Sequence, residues 1–255
     1  MNDKKENRNK DRDIIFGRNA VAEAIKSGRA IDTVLVAKGA HSGSISQIIA
    51  KAKEKGIVIK NVDNKKLDFL SLQGVHQGVA AFAAIKEYSS VKDILLAAKE
   101  KEEPPFIIIC EKIEDPHNLG AIIRTAYAAG AHGIIVPERN SAPLSFAVSK
   151  ASAGAAEYMP VARVKNITVT LKSLKEKGLF AYCADMDGEL YTETDLKGAI
   201  VLVIGSEGQG VSRLVKENCD FIVKIPMTGN INSLNASVAA GILIYEAVRQ
   251  RGTNK

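Results

Sequence analysis

Residues 106–110 read Phe-Ile-Ile-Ile-Cys, an unbroken apolar run that follows directly on two prolines. The prolines end any preceding helix and enforce extended chain, so a strand is expected to begin here. A strand without polar alternation is buried on both faces, which is typical of a parallel sheet covered by helices. Apolar runs recur at 134–136 and 199–204, with helical spacing between them. Residues 106–255 are therefore predicted to form an α/β domain with a parallel sheet.

The remaining elements of this domain follow from hydrophobic periodicity and from the glycines that interrupt it. Further strands are expected at 179–184 and 221–225, and helices at 119–129, 145–156, 169–177, 211–217 and 234–249. The inward face of the last helix is predicted to carry Leu234, Val238, Ile242 and Tyr245.

The N-terminal part of the chain is predicted to hold a tail, a small domain and a linker. Residues 1–13 are almost all polar or charged, so they are predicted to form a disordered tail. Residues 14–85 alternate between helix and strand patterns and are predicted to form a small α/β domain. Its helices are expected at 17–27, 44–55 and 63–70, and its strands at 33–36, 57–59 and 79–85. Residues 86–105 are predicted to be a linker that contains one helix, at 91–98.

The composition bounds the class of protein. Of the 255 residues, 46% are apolar and 25% are charged, which is ordinary for a soluble globular protein. The chain has no apolar run of the ~18 residues that a membrane helix needs, and its start lacks the apolar stretch of a signal peptide. We therefore expect a cytoplasmic protein without a membrane partner. The net charge of +6 favours a polyanionic partner such as nucleic acid, although many soluble proteins carry such a surplus.

The cysteines and histidines do not indicate a metal site. Cys110, Cys183 and Cys219 are far apart and include no C-x-x-C pair, which argues against disulfides and against zinc. Each lies in or beside an apolar run, so buried, reduced thiols are expected. The four histidines are too scattered for a local metal site, and no metal ion is expected.

A glycine-rich turn at 205–210, with the sequence Gly-Ser-Glu-Gly-Gln-Gly, connects an apolar strand to a predicted helix. Such a turn points backbone N–H groups at a ligand, although it can also be a tight turn without one. The spacing approaches that of a nucleotide triphosphate loop, but Val211 stands where that loop needs lysine. The order of the glycines also differs from the dinucleotide fingerprint, which disfavours NAD. Glu207 either caps the helix, fixes the turn or faces a cationic partner.

Two polar corners accompany this turn. Residues 115–125 (DPHNLGAIIRT) end one strand and open a helix, where Asn118 is a candidate N-cap and Arg124 a candidate solvated side chain. Residues 225–239 contain Ile-Pro-Met and then SLNASVA, so that Ser233 or Asn235 would cap the final helix by default. Helix capping accounts for each corner alone, and only their combination indicates a ligand site.

In order along the chain, residues 115–125, 204–210 and 225–239 resemble the three motifs of the SpoU, or TrmH-type, RNA ribose methyltransferases, a branch of the SPOUT superfamily. The resemblance covers essentially the whole chain after the tail. Residues 16–18 (FGR) and 76–80 (HQGVA) are similar to the small RNA-binding domain of one bacterial subgroup. That subgroup methylates the ribose 2′-hydroxyl of a guanosine in 23S ribosomal RNA, the RNA of the large subunit.

The resemblance implies a trefoil knot in the C-terminal domain, a homodimer with active sites near the subunit interface, and S-adenosylmethionine as the methyl donor. It also implies that backbone and apolar groups hold this cofactor, with Gly205, Ile225 and Leu234 as the main contacts. Further cofactor contacts are expected from Val203, Ile204, Met227 and Ser233.

The same resemblance implies that Arg124 is the catalytic residue. Because the pKa of arginine exceeds ~12, a role as a free base is disfavoured. We expect Arg124 to clamp a phosphate and the target hydroxyl and so to lower the pKa of that hydroxyl. Residues expected to position the RNA and the loops are Asn118, Glu207, Ser233 and Asn235. In the first domain, Arg18 and Arg29 are candidate phosphate contacts for structured, ribosomal RNA.

Other functions stay open from the sequence. A transfer RNA ribose methyltransferase and a methyltransferase that protects the ribosome from an antibiotic would have the same fold. A non-enzymatic RNA-binding or ribosome-assembly protein is a third alternative, against which the presence of Asn118, Arg124 and Glu207 counts. An NAD-linked enzyme is the remaining alternative of a different class.

Overall fold

The computed structural model describes residues 12–40, 43–71, 74–84, 86–229 and 233–252. The predicted tail lies outside the described residues up to position 11. Arg12 and Asp13 belong to the first strand, where they pair with Ala84 and Ala83. The prediction of disorder is therefore wrong for Arg12 and Asp13, because pairing with a strand far along the chain orders two polar residues whose own composition does not favour a strand.

The helices and strands alternate along the chain. The first half contains β1 (Arg12–Phe16), α1 (Arg18–Lys26), β2 (Ile31–Ala37), α2 (Ser44–Glu54), β3 (Val58–Val62), α3 (Asn64–Leu70), β4 (Val79–Ala84), α4 (Val91–Glu100), β5 (Phe106–Cys110) and α5 (Pro116–Ala128). The second half contains β6 (Gly133–Pro137), α6 (Phe146–Ala151), a 3₁₀ turn (Ala155–Glu157), β7 (Val161–Val164), α7 (Ile167–Lys175), β8 (Phe180–Leu190), β9 (Ile200–Ile204), α8 (Arg213–Lys216), β10 (Phe221–Lys224) and α9 (Ala236–Arg251).

Unit 1 is the smaller of two compact units and comprises the chain up to Glu87 together with Leu144–Tyr158. Its sheet has the order β1-β4-β2-β3, in which only the β2/β3 pair is parallel. The segment Leu144–Tyr158 differs from the sequence assignment, which placed it in the second domain. It packs here because the ring of Phe146 stacks on Phe16, with centroids 3.4 Å apart, and the Tyr158 hydroxyl donates to Glu23 at 2.6 Å.

Unit 2 comprises Tyr88–Pro143 and Met159–Lys255. Its sheet has the order β10-β8-β9-β5-β6-β7, and all neighbouring strands are parallel. Every residue of β5 is buried, which confirms the prediction from the apolar run at 106–110. The parallel α/β fold of this half of the chain is confirmed.

Several local predictions for unit 2 need correction. Strand β7 was not predicted, because the four residues Val-Ala-Arg-Val are too few to form a recognisable apolar run. The predicted inward face of the last helix is wrong: Val238 and Tyr245 are each 50% exposed, whereas the buried stripe includes Ala240, Leu243, Ile244 and Ala247. Within the described ranges, no helix is long and apolar enough to cross a membrane.

Candidate active site

The order of strands in unit 2 predicts a crevice at the carboxyl ends of the two central strands, β5 and β9, the edge here called the carboxyl edge. From β5 the chain proceeds outward to β6 and β7 and then returns to the other side of β5 to form β8 and β9. The direction of winding therefore reverses between β5 and β9. In open α/β sheets, ligands bind in the crevice outside the carboxyl ends of the strands at such a reversal point. The loops after β5 and β9 contain the polar corner at 115–118 and the glycine-rich turn.

The glycine-rich turn is held in one conformation by its own backbone. The amide of Gly210 donates to the carbonyl of Ser206 at 2.9 Å, and Gly210 has a φ of +61°. A Cβ on Gly205 would overlap the carbonyl group of Gly210 and the amide nitrogen of Val211. Position 205 therefore admits only glycine without a shift of the turn.

A buried carboxylate that sequence reasoning missed fixes the end of this turn. Glu111 follows β5, is 6% exposed, and accepts hydrogen bonds from the amide of Ser212 at 2.7 Å and from its hydroxyl at 2.5 Å. Its own amide donates to the carbonyl of Ile204 at 2.8 Å. The signal in the sequence was a single acidic residue directly after an apolar strand, a pattern too common to indicate this role by itself.

Asn118, Glu207 and Asn235 meet in one hydrogen-bonded cluster. The Nδ2 of Asn118 donates to Glu207 Oε1 at 3.0 Å, and the Nδ2 of Asn235 donates to Asn118 Oδ1 at 2.9 Å and also to Glu207 Oε1. The other side-chain atom of Asn235 caps α9, since its Oδ1 accepts the amide of Ser237 at 3.0 Å. These hydrogen bonds link the start of α5, the glycine-rich turn and the start of α9.

The capping alternative for Asn118 is wrong. Asp115 is the N-cap of α5, and its Oδ1 accepts the amide of His117 at 3.0 Å. Pro116 occupies the first turn of the helix, where its missing N–H costs nothing. Because Asp115 satisfies the helix end, the side chain of Asn118 is available for the cluster with Glu207.

A cavity of about 480 Å³, here called the turn cavity, lies beside the glycine-rich turn. Predicted cofactor contacts that line it are Ile204, Gly205, Ile225, Met227, Ser233 and Leu234, and Glu207 also faces it. Val203 does not line it, because its side chain is fully buried in the hydrophobic core. Sequence reasoning missed Asp185, Met186 and Asp187, which also line the turn cavity.

A second concavity of about 330 Å³ also borders this turn and is called the polar concavity. Its lining includes Lys112, Glu114, Asp115 and Asn118. Residues 206–209 and Ala236 line both spaces, so the two spaces adjoin at the turn. More of the residues that line the turn cavity are apolar, and more of those that line the polar concavity carry a charge or an amide.

Arg124 lies on α5, six residues after Asn118, and is exposed. It lines neither the turn cavity nor the polar concavity. Among the described residues its guanidinium has no hydrogen bond or ion pair. The structure therefore places the predicted catalytic arginine on the helix that carries the cluster residue Asn118, outside both spaces and without a competing partner in the described chain.

The candidate RNA contacts of unit 1 are occupied by other protein groups. Arg29 is 8% exposed and bonds to Asp13 at 2.9 Å and to Glu157 at 3.0 Å, so its prediction as a phosphate contact is wrong. Burial between two carboxylates makes it a link within unit 1. Arg18 is half-buried and donates to the carbonyl of Gln77 at 3.1 Å and to Ser44 at 3.3 Å, which leaves part of its guanidinium open.

The cysteines are free thiols, with Cys110 and Cys183 buried and Cys219 half-buried. Burial raises the pKa of Cys110 to about 12, so this thiol stays protonated at neutral pH. The described part of the chain contains no group of three or more His, Cys, Asp or Glu that could hold a metal ion.

These features define an α/β protein with a ligand crevice at the reversal point of a parallel sheet. Comparison with known proteins extends this to a family. The SpoU rRNA Methylase family matches residues 105–245, and the family of RNA 2′-O ribose methyltransferase substrate-binding domains matches residues 14–89. The chain therefore belongs to the SpoU family of RNA methyltransferases.

Individual relatives agree with this family. The chain is 48% identical to a Bacillus subtilis protein assigned by name to the TrmH family of tRNA/rRNA methyltransferases, over 94% of this chain and 96% of that one. A Staphylococcus aureus protein with the same family name is 45% identical, over 93% and 96% of the two chains.

Solved structures are similar over nearly the whole chain. An AdoMet-bound rRNA methyltransferase from Sinorhizobium meliloti matches with a TM-score of 0.78 and 27% identity, over 96% of this chain and 90% of that one. The SpoU methyltransferase AviRb from Streptomyces viridochromogenes, in complex with AdoMet, matches with a TM-score of 0.79 over 95% and 91%. At 24% identity, the second match shows the shared fold alone.

Proposed function

We propose that the protein transfers a methyl group from S-adenosylmethionine to the ribose 2′-hydroxyl of a guanosine in 23S ribosomal RNA. The observation that carries this proposal is the cluster of Asn118, Glu207 and Asn235 at the glycine-rich turn, where the turn cavity and the polar concavity adjoin. A donor in the turn cavity and an RNA ribose in the polar concavity would lie next to each other at this turn. The AdoMet-bound relative from Sinorhizobium meliloti supports the choice of donor.

The turn cavity fits the proposed cofactor in size and in chemistry. Its volume of about 480 Å³ lies within the usual range of ~300–1,000 Å³ for small-molecule sites. Ile225, Met227 and Leu234 offer apolar surface for an adenine ring. The missing side chain of Gly205 lets the backbone of Gly210 and Val211 close the turn beside this surface. The bound cofactor would supply an activated methyl group on a positively charged sulfur. The residues that would hold it are Gly205, Ile225 and Leu234, with Ile204, Met227 and Ser233.

The protein must then orient the ribose hydroxyl and promote loss of its proton. Arg124 is proposed to contact the target phosphate and hydroxyl, which favours the ionised form of that hydroxyl. Its exposure and the absence of an internal ion pair among the described residues are consistent with a contact made by RNA. Asn118, Glu207 and Asn235 are proposed to keep the loops in place, and Ser233, exposed at the cavity rim, is proposed to contact the substrate.

A homodimer, a trefoil knot and a cytoplasmic location are proposed from the family resemblance. The exposed Val238 and Tyr245 on α9 support a dimer, since two large apolar side chains on one helix would gain from being covered. Structured RNA is the proposed partner, and the matched substrate-binding domain at residues 14–89 supports RNA recognition by unit 1.

One experiment tests both the reaction and the substrate. The purified protein is incubated with methyl-labelled S-adenosylmethionine and with unmodified ribosomal RNA or transfer RNA, and the RNA is digested to nucleosides. We expect label in 2′-O-methylguanosine from ribosomal RNA. Label in a base would contradict the proposal, because it would make the protein a base methyltransferase. No label in either RNA despite cofactor binding would also contradict it and would favour a non-enzymatic role.

A transfer RNA 2′-O-ribose methyltransferase is the second candidate. The names of the Bacillus subtilis and Staphylococcus aureus relatives include both tRNA and rRNA, so the family name does not separate the two substrates. Label confined to transfer RNA in the same experiment would establish this alternative.

A further inference from the structure

Strand β8 leaves the sheet where it passes the turn cavity. Cys183 pairs with Ile222 of β10, but the next residue of β10, Val223, pairs with Glu189. Residues 184–188 therefore bulge out of the strand, and 184–187 line the turn cavity. A Cβ on Gly188 would overlap the backbone of Ile222 and Val223, so a glycine is needed to close the bulge against β10. Bulges of this kind re-aim side chains next to active sites.

Two carboxylates on the bulge share one lysine from α8. The Nζ of Lys216 lies 2.9 Å from Asp185 Oδ1 and 3.5 Å from Asp187 Oδ2. The amide of Asp187 also donates to Asp185 Oδ1 at 3.2 Å. The hydrogen bond to Asp185 raises the pKa of Lys216, which keeps the ammonium charged. Lys216 and Asp185 thus fix the shape of the bulge.

Asp187 differs from Asp185 because most of the hydrogen-bond acceptor sites on its carboxylate oxygens are unoccupied in the described chain. Its side chain is 78% exposed, whereas that of Asp185 is 18% exposed. Among the described residues, its carboxylate contacts only Lys216, at the longer distance of 3.5 Å. A carboxylate that lines a cavity and keeps most of its lone pairs free can accept two hydrogen bonds from a ligand.

The position of Asp187 indicates what that ligand group is. Strand β8 is the direct neighbour of β9, whose carboxyl end continues into the glycine-rich turn. In dinucleotide-binding sheets, an acidic residue near the end of a strand beside the glycine-rich turn accepts hydrogen bonds from a ribose hydroxyl. The physical reason is general, because two vicinal hydroxyls match the two oxygens of a carboxylate.

We propose that Asp187 binds the 2′,3′-diol of the cofactor's ribose, with Asp185 and Lys216 as positioning residues. This inference rests on the proposed function, because it takes S-adenosylmethionine as the occupant of the turn cavity. It assigns to the bulge at 184–188 the selection of a ribonucleoside cofactor. A carboxylate would also attract the ammonium group of the cofactor's methionine part. Probes that lack either this ammonium group or a ribose hydroxyl distinguish the two contacts.

The test uses calorimetric binding of three probes to the full-length protein. S-adenosylhomocysteine contains the diol and the amino acid, methylthioadenosine retains the diol without the amino acid, and 2′-deoxy-S-adenosylhomocysteine has lost one hydroxyl. For Asp187→Asn we expect about tenfold weaker binding of the first two probes, which is typical of a lost hydrogen bond to a charged group. We expect the deoxy probe to bind the variant and the wild type with affinities that differ much less.

The matched control is Asp63→Asn, because Asp63 is 71% exposed and pairs with Lys38 at 2.9 Å on the surface of unit 1. This change should leave all three affinities unchanged. Lys216→Met should weaken binding of S-adenosylhomocysteine but add little in the Asp187→Asn background, since the lysine acts through that carboxylate. Thermal melting of each variant checks that it is folded.

The outcomes are distinct. If Asp187→Asn weakens S-adenosylhomocysteine but not methylthioadenosine, the carboxylate contacts the methionine ammonium, and the diol assignment is overturned. If no probe is affected, Asp187 does not touch the cofactor. If wild-type protein binds none of the probes, the donor assignment of the proposed function falls as well, which separates that failure from a failure of Asp187 alone.

Discussion

The two edges of the parallel sheet in unit 2 resemble each other in size but not in chemistry. The carboxyl edge has the turn cavity of about 480 Å³, and the opposite edge has a cavity of the same volume. The second cavity is lined by residues that include Glu103, Phe106, Lys197 and Arg251. Volume alone therefore does not identify which edge is the candidate site.

At the second cavity, the polar groups are used by the protein itself. The Nδ1 of buried His132 accepts the amide of Phe106 at 3.0 Å, and its Nε2 lies 3.1 Å from Glu103 Oε2. Arg251 stacks over Phe106 at 5.1 Å and donates to the carbonyls of Pro104 and Gly198. These contacts tie the end of α9 to the sheet and leave little capacity for a ligand.

At the carboxyl edge, by contrast, binding capacity remains. Asp187 is exposed in the cavity wall, and among the described residues its carboxylate contacts only Lys216, at 3.5 Å. The comparison teaches that free hydrogen-bonding groups, and not empty volume, distinguish a binding site from a packing defect. Four variants test this difference, from the largest expected effect to the smallest.

The largest effect is expected for Arg124→Ala, which should reduce the rate of methyl transfer by at least about 100-fold, as for the loss of a charge-stabilising donor in other enzymes. Affinity for S-adenosylhomocysteine should stay within about twofold, because Arg124 does not line the turn cavity. Single-turnover kinetics and calorimetry measure the two quantities. Arg139→Ala, at another exposed arginine of unit 2, is the control. A loss of cofactor affinity without a loss of rate would contradict the proposed role.

The next effect is expected for Gly205→Ala, which should weaken cofactor binding by about tenfold or more. The added methyl group would overlap the backbone of Gly210 and Val211, and forced overpacking costs about 1–3 kcal/mol. Gly241→Ala is the control, since a Cβ on Gly241 meets only Thr125 Cγ2, at 4.0 Å, and Gly241 does not line the turn cavity. Calorimetry with S-adenosylhomocysteine compares the two variants. Equal affinities would show that the conformation of the turn does not determine binding.

A smaller effect is expected for the cap of α9. Asn235→Ala should lower the free energy of unfolding by about 1 kcal/mol, the usual value for a lost N-cap, and should also slow methyl transfer by about tenfold. Asn166→Ala removes a comparable cap, since Asn166 Oδ1 accepts the amide of Val169 at 3.0 Å. It should cost similar stability but leave the rate unchanged. Similar rates in both variants would mean that Asn235 is a cap and nothing more.

The smallest effect is a pH dependence at the opposite edge. Burial lowers the pKa of His132 below its usual 6.5, so the native state holds this residue neutral. As the pH falls below about 6.5, the unfolded chain takes up the proton first, and the stability contribution is lost towards the lower native pKa. Denaturation at pH 8 and pH 5 should show a larger loss for wild type than for His132→Gln. Methyl transfer at pH 8 should be the same in both proteins.

Much of the fold could be predicted because its signals are local. The apolar runs at 106–110 and 199–204 indicated buried parallel strands, and both are central strands of the sheet. The predictions failed where the signal is not local. Strand β1 begins early because β4 pairs with it, and Leu144–Tyr158 packs in unit 1 because Phe146 reaches Phe16.

The residues of the candidate site also fall into two groups, those that the sequence predicted and those that it did not. The motifs marked Asn118, Glu207 and Asn235, which the structure joins by hydrogen bonds although Asn118 lies 89 residues from Glu207 and 117 from Asn235. The sequence could not show that Glu111 accepts hydrogen bonds from the end of the glycine-rich turn or that Asp187 lines the turn cavity. It also could not show that Arg29 forms ion pairs with two carboxylates of unit 1. Each of these depends on which distant group a side chain meets.

The sequence by itself determined the parallel sheet, the glycine turn and the family of motifs, because apolar runs, glycine spacing and caps act between residues close in the chain. The tertiary structure alone decided which polar groups remain free. Strand order brings the ends of β5, β8 and β9 to one edge, and the bulge in β8 turns Asp187 towards the cavity there. A polar group can bind a ligand only if no residue from a distant part of the chain already occupies its hydrogen-bonding sites. Which groups remain free is therefore decided only when the chain is folded.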